Sequence, residues 1–190
     1  MTASAAIAYA GGAAFATQAP HVKLRPLKAD FSVLRGLHIA DASSAPRESI
    51  GGTIDTVPAG TFASGDSVYV ATLVTGDVCL VDQEPVAAPG AVPNDTDGLI
   101  DVACSHPLQA EQSGTGIATP SVNGSAARIT LLVPNGVQTV SFNTSDGATI
   151  TEAVVNNVAQ YASPDLVSAS FVTPDGQGVS EAVPTPAASQ

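Results

Sequence analysis

From Thr53 onward the chain is punctuated by short Gly-bearing turn signals, and the runs between them alternate with a period of two. That pattern leaves room for strands and little else. Ser67 to Leu73 sets Val68, Val70 and Thr72 on one face and Tyr69, Ala71 and Leu73 on the other, as expected of a strand buried on both sides. Thr75-Gly76-Asp77 then reverses the chain into Val78 to Val81. Pro134-Asn135-Gly136 lies between Ala127–Val133 and Val137–Asn143, and Asn-Gly readily adopts the positive φ of tight turns, so the spacing predicts a hairpin there. Ser145-Asp146-Gly147 leads into Thr149 to Val155, and Pro174-Asp175-Gly176 joins Leu166–Val172 to Val179–Val183. The expectation is an all-β fold, an antiparallel sandwich or barrel-like sheet with meander connections.

A length of 190 residues suits one domain, and the 44% hydrophobic content, rich in Ala and Val with only eight aromatics, suits a core of many small contacts. Gln83 to Asp97 carries too much Pro and Gly for a central strand and reads as a long excursion. Upstream, Phe31, Leu34 and Leu37 recur at a spacing of three. They predict a short helical element near the N-terminus, with Asp30 as its candidate cap. The division is then an export-signal-like or disordered arm over 1–19, a basic linker over 20–52, a β domain over 53–183 and a disordered tail over 184–190.

The net charge of −11 is unevenly spread. The first 47 residues carry +3, from five bases and two acids, and the remainder −14, with Arg128 its single base. An acidic body of this kind repels phosphate backbones, which excludes nucleic acid as a partner, and it restricts membrane contact to residues 1–47. Ala3 to Ala16 is uncharged and ends in Ala14-Phe15-Ala16, an apolar stretch with a small-x-small close that fits a secretory signal without its usual positive start. It is short for a membrane span.

Cys79 and Cys104 are the only cysteines. Their separation lacks the C-x-x-C spacing that tunes thiol pKa, which disfavours a redox site and leaves a structural disulfide ahead of two buried thiols. A disulfide implies an oxidising compartment. Asp95, Asp97 and Asp101, with Gly98 between them, resemble the middle of a calcium loop, but Pro93 and Cys104 stand where its first and last oxygen ligands belong. A polar turn accounts for the same residues. His21, His38 and His106 lack zinc-ligand spacing, no G-x-S-x-G elbow is present, and Ser113-Gly114-Thr115-Gly116 reads as a loop rather than a phosphate cradle. No catalytic residue and no cofactor is expected.

Ser67-Val68-Tyr69-Val70, Val78-Cys79-Leu80-Val81, Ala103-Cys104, Val133-Pro134-Asn135-Gly136-Val137 through Val140, Asn156-Asn157 near Tyr161, and Phe31-Ser32-Val33-Leu34-Arg35 together resemble a loosely defined group of uncharacterised exported or membrane-anchored proteins of actinobacteria. The resemblance spans roughly residues 30 to 175. It implies an extracytoplasmic β domain with a cysteine pair and brings no activity with it. The expected function is therefore a non-enzymatic extracytoplasmic domain acting by contact with an envelope or protein partner. The alternatives are a calcium-stabilised adhesion-type module on Asp95, Asp97 and Asp101, and a small hydrolase using His106.

Overall fold

The computed structural model describes residues 31–35, 53–85, 99–121 and 125–185. Among these the fold is all-β, with three antiparallel sheets and one short helix. Strands β1 (Thr53–Thr61), β2 (Ser67–Leu73), β3 (Val78–Gln83) and β4 (Ile100–Ser105) form the first sheet as a meander in the order β1-β2-β3-β4. Helix α1 (Pro107–Ser113) carries the chain across to the second sheet. That sheet comprises β5 (Thr115–Thr119), β6 (Ala127–Leu132) and β9 (Val158–Ser163), in the order β5-β6-β9. The third comprises β7 (Thr139–Thr144), β8 (Thr149–Ala153), β10 (Leu166–Val172) and β11 (Gly178–Ala182), in the order β11-β10-β7-β8.

The stacking follows from β6, whose six residues Ala-Arg-Ile-Thr-Leu-Leu are all buried. A strand presents alternate side chains to opposite faces, so a strand buried throughout must be covered on both. Ala127, Ile129 and Leu131 pack with Val140, Phe142, Leu166, Ala169 and Phe171 of the third sheet. Leu132 turns the other way, against Val68, Val70, Val78 and Leu80 of the first. The β5-β6-β9 sheet is therefore the middle layer of a sandwich. Strand β2 also has two buried faces: Tyr69 and Ala71 join Cys79 and Val81 in a separate cluster on the far side of the first sheet.

Four hairpin turns share one solution. In Phe62–Asp66, Leu73–Asp77, Thr144–Ala148 and Thr173–Gln177 the first N–H donates to the fifth carbonyl, and the glycine N–H at the fourth position donates back to the first carbonyl. The glycines, Gly65, Gly76, Gly147 and Gly176, have φ of +86 to +90°, the left-handed residue of a three-residue hairpin loop. The Asn135-Gly136 turn differs from its expectation. β6 and β7 lie in different sheets, so Pro134 to Gln138 forms a corner between layers and no hairpin joins these strands. The segment after Ser113 also differs, because Thr115–Thr119 is a strand paired with β6. Gly114 is required there: a Cβ on it would stand 2.4 Å from the Leu132 carbonyl oxygen.

The expected N-terminal helical element is a single 3-10 turn, Ser32–Arg35, that plugs the sandwich. Phe31, Val33 and Leu34 are buried beside Val57, Ala59 and Leu132. Asp30, Leu37, the export-like run and the tail after residue 185 lie outside the described residues.

Candidate functional site

The interface between the first and middle sheets is apolar at one end and ionic at the other. Along β6, Arg128 and Thr130 share the face of Leu132, and Gln160 of β9 is the direct cross-strand partner of Thr130. Opposite them stand Asp82 at the end of β3, Glu84 just beyond it, Asp101 at the start of β4 and Asp66 from the turn before β2. Arg128 Nη1 is 3.1 Å from Asp66 Oδ2 and 3.1 Å from Glu84 Oε1, Nε is 3.2 Å from Asp82 Oδ2, and Nη2 is 3.4 Å from Asp101 Oδ2. One guanidinium thus serves four carboxylates.

Around this ion cluster runs a second set of hydrogen bonds. Thr130 Oγ1 donates to Asp82 Oδ2 at 2.6 Å. Gln160 Nε2 lies 3.0 Å from Asp82 Oδ2, 3.0 Å from Thr130 Oγ1 and 3.3 Å from Asp66 Oδ2, while Gln160 Oε1 accepts from Ser64 Oγ at 2.7 Å. Asp82 and Thr130 are fully enclosed. Burial pushes the Asp82 carboxyl above its ordinary value; the Thr130 hydrogen bond and Arg128 oppose that shift, and the nearby Asp66 charge adds to it. For Arg128, burial pulls the other way, but Asp82, Asp66 and Glu84 together hold the guanidinium charged. The directions are compatible because a cation shared four ways cannot compensate every carboxylate. Asp82 Oδ1 and Arg128 Nε are buried without a hydrogen bond, the Nε contact to Asp82 being an ion pair with poor alignment.

The expected site residues fall in separate places. Cys79 and Cys104 are cross-strand partners on β3 and β4 and form a disulfide with Cα atoms 4.0 Å apart. Asp101 faces Arg128 and accepts from Thr119 Oγ1 at 3.3 Å, whereas Asp95 and Asp97 lie outside the described residues. Among the described residues no group of three His, Cys, Asp or Glu side chains is placed to hold a metal ion. His106 is exposed at the entrance to α1, where it makes no side-chain cap, and His21 and His38 are not described.

Two arrangements went unread in the sequence. One is the ion cluster, whose only outward signals are a lone Arg128 in an acidic body and a Thr130 inside an apolar run. The other is an asparagine clamp. Asn156 and Asn157 form the two-residue turn before β9 with φ of 50 and 65°, a conformation Asn tolerates. Asn157 Oδ1 accepts from Val33 N and Ser32 Oγ, at 2.9 and 2.8 Å, and Asn135 Oδ1 accepts from Ser32 N at 2.8 Å. Asn157 Nδ2 braces the pair by donating to Asn135 Oδ1 and to the Val133 carbonyl, both at 3.0 Å.

An open depression of about 480 Å³ lies on the third sheet, lined by residues such as Thr139, Ser141, Ser170, Val172 and Ser180, and no titratable side chain borders it. No helix among the described residues is long and apolar enough to cross a membrane. No protein family, curated protein or solved structure matches the chain.

Proposed function

We propose that this chain is a non-enzymatic extracytoplasmic β domain that works by contact with a cell-envelope or protein partner. The observation that carries the reading is where the chemistry-bearing side chains sit. Arg128, Asp82 and Asp66 are enclosed between two sheets, and the open depression on the third sheet offers no acid or base. General acid–base catalysis needs a titratable group within hydrogen-bond reach of its substrate. The Cys79–Cys104 disulfide supports an oxidising compartment, since such bonds persist outside the reducing cytosol.

Fractionation of the native source with intact-mass measurement tests this reading. The expected result is protein in the exported fraction, shortened at its amino terminus and carrying no free thiol. Full-length cytosolic protein with two free thiols would overturn it.

A further inference from the structure

We infer that Thr130 and Gln160 become covalently joined, the Thr130 hydroxyl displacing ammonia from the Gln160 side chain to leave an ester cross-link between β6 and β9. The two residues are register partners on adjacent strands, and Thr130 Oγ1 lies 3.0 Å from Gln160 Nε2, the atom bonded to the carboxamide carbon. A nucleophile, a carboxylate base and a donor to the carboxamide oxygen, three of the groups that acyl transfer uses, lie together in that cluster. Thr130 donates its proton to Asp82 Oδ2 at 2.6 Å, so a carboxylate base is already on the nucleophile. Ser64 Oγ donates to Gln160 Oε1 at 2.7 Å, where negative charge would develop. The leaving nitrogen rests against Asp82 and Asp66.

The step balances without a co-reactant. The Oγ1–H bond of Thr130 breaks and its proton passes to Asp82; Oγ1 bonds to Gln160 Cδ; the tetrahedral intermediate collapses with cleavage of Cδ–Nε2; and Asp82 returns the proton to the departing amine, which leaves as ammonia. Burial supports the same chemistry. Burial holds the Asp82 carboxyl above its ordinary value, which makes it a stronger base than a surface carboxylate. Thr130 and Asp82 are fully buried, which keeps water from the nucleophile and its base. The event happens once per molecule and consumes its own side chains, so it goes beyond the proposed function without making the chain an enzyme.

High-resolution mass spectrometry of the full-length folded protein tests it. The expected mass falls short of the disulfide-bonded sequence by the ammonia lost in acyl transfer, about 17 Da. After reduction and proteolysis, the fragments holding Thr130 and Gln160 stay joined, and hydroxylamine separates them. Thr130→Val, which keeps the shape and lacks the hydroxyl, restores the full mass, as does Gln160→Met. A folded wild-type protein at full mass overturns the inference whether or not these variants fold. So does an ammonia loss that persists in Thr130→Val and maps to Asn135-Gly136, where an Asn-Gly succinimide gives the same shift.

Discussion

The two faces of β6 solve the problem of burial in opposite ways. Toward the third sheet, Ile129 and Leu131 meet Val140, Phe142 and Phe171, Tyr161 of β9 stacks near Phe142 with ring centres 5.5 Å apart, and the contact is held by apolar area and shape alone. Toward the first sheet, Arg128 and Thr130 meet four carboxylates and a glutamine. The apolar face is forgiving of details and costly to hollow out. The ionic face is held by a count of charges, so it fails when one member is removed and the others are left buried.

The largest effects should come from breaking each face at its centre. Arg128→Ala strands Asp66 and Asp82 without a cation and is expected to cost about 3–5 kcal/mol near neutral pH. Phe142→Ala should cost about as much, roughly 3–5 kcal/mol, through the cavity it leaves. Chemical denaturation as a function of pH separates the two. The Arg128→Ala deficit should shrink on acidification as the stranded carboxylates protonate, whereas the Phe142→Ala deficit should hardly change. A deficit in Arg128→Ala that is independent of pH would erase the contrast.

Next in size is the disulfide. Replacing Cys79 and Cys104 with Ala should cost about 3.5 kcal/mol on loop entropy for a separation of 25 residues, read as a fall in denaturation midpoint. Asn157→Ala should cost about 1–3 kcal/mol, because it orphans the buried Val33 amide. Hydrogen exchange should show Ser32 and Val33 losing protection while β10 keeps its own. The smallest effect is the pH response of Asp82 itself. Its carboxyl is raised in the folded state, so its contribution is full below the ordinary value of 3.8 and is lost as pH rises through the raised value. Asp82→Asn should remove that decline from the stability profile between those limits.

The strands with clean alternation were legible because each face has its own core: Val68 and Val70 go to one cluster, Tyr69 and Ala71 to another. The disulfide was legible because two cysteines allow one pairing. Helix α1 was not, since seven residues with one buried side chain, Ala110, show no period. β5 was hidden by Gly114 and Gly116, which read as loop residues, although Gly114 is what lets the chain approach the Leu132 carbonyl of β6 as the strand begins. Asn135-Gly136 misled because a turn signal fixes local φ without fixing which sheet the next strand joins. The ion cluster draws Asp66, Asp82, Arg128 and Gln160 from distant parts of the chain, and no local pattern connects them.

The order of strands also sets an order of events. The first sheet is contiguous from Thr53 to Ser105 and pairs only neighbours in sequence, whereas the middle sheet waits for β9, which follows both β7 and β8 of the third. Local pairings form faster than distant ones. Cys79 and Cys104 both belong to the contiguous sheet, so the pairing of β3 with β4 brings the two sulfurs together before β9 completes the middle sheet. The permanent bond is then in place before the buried charges have anything to pair with.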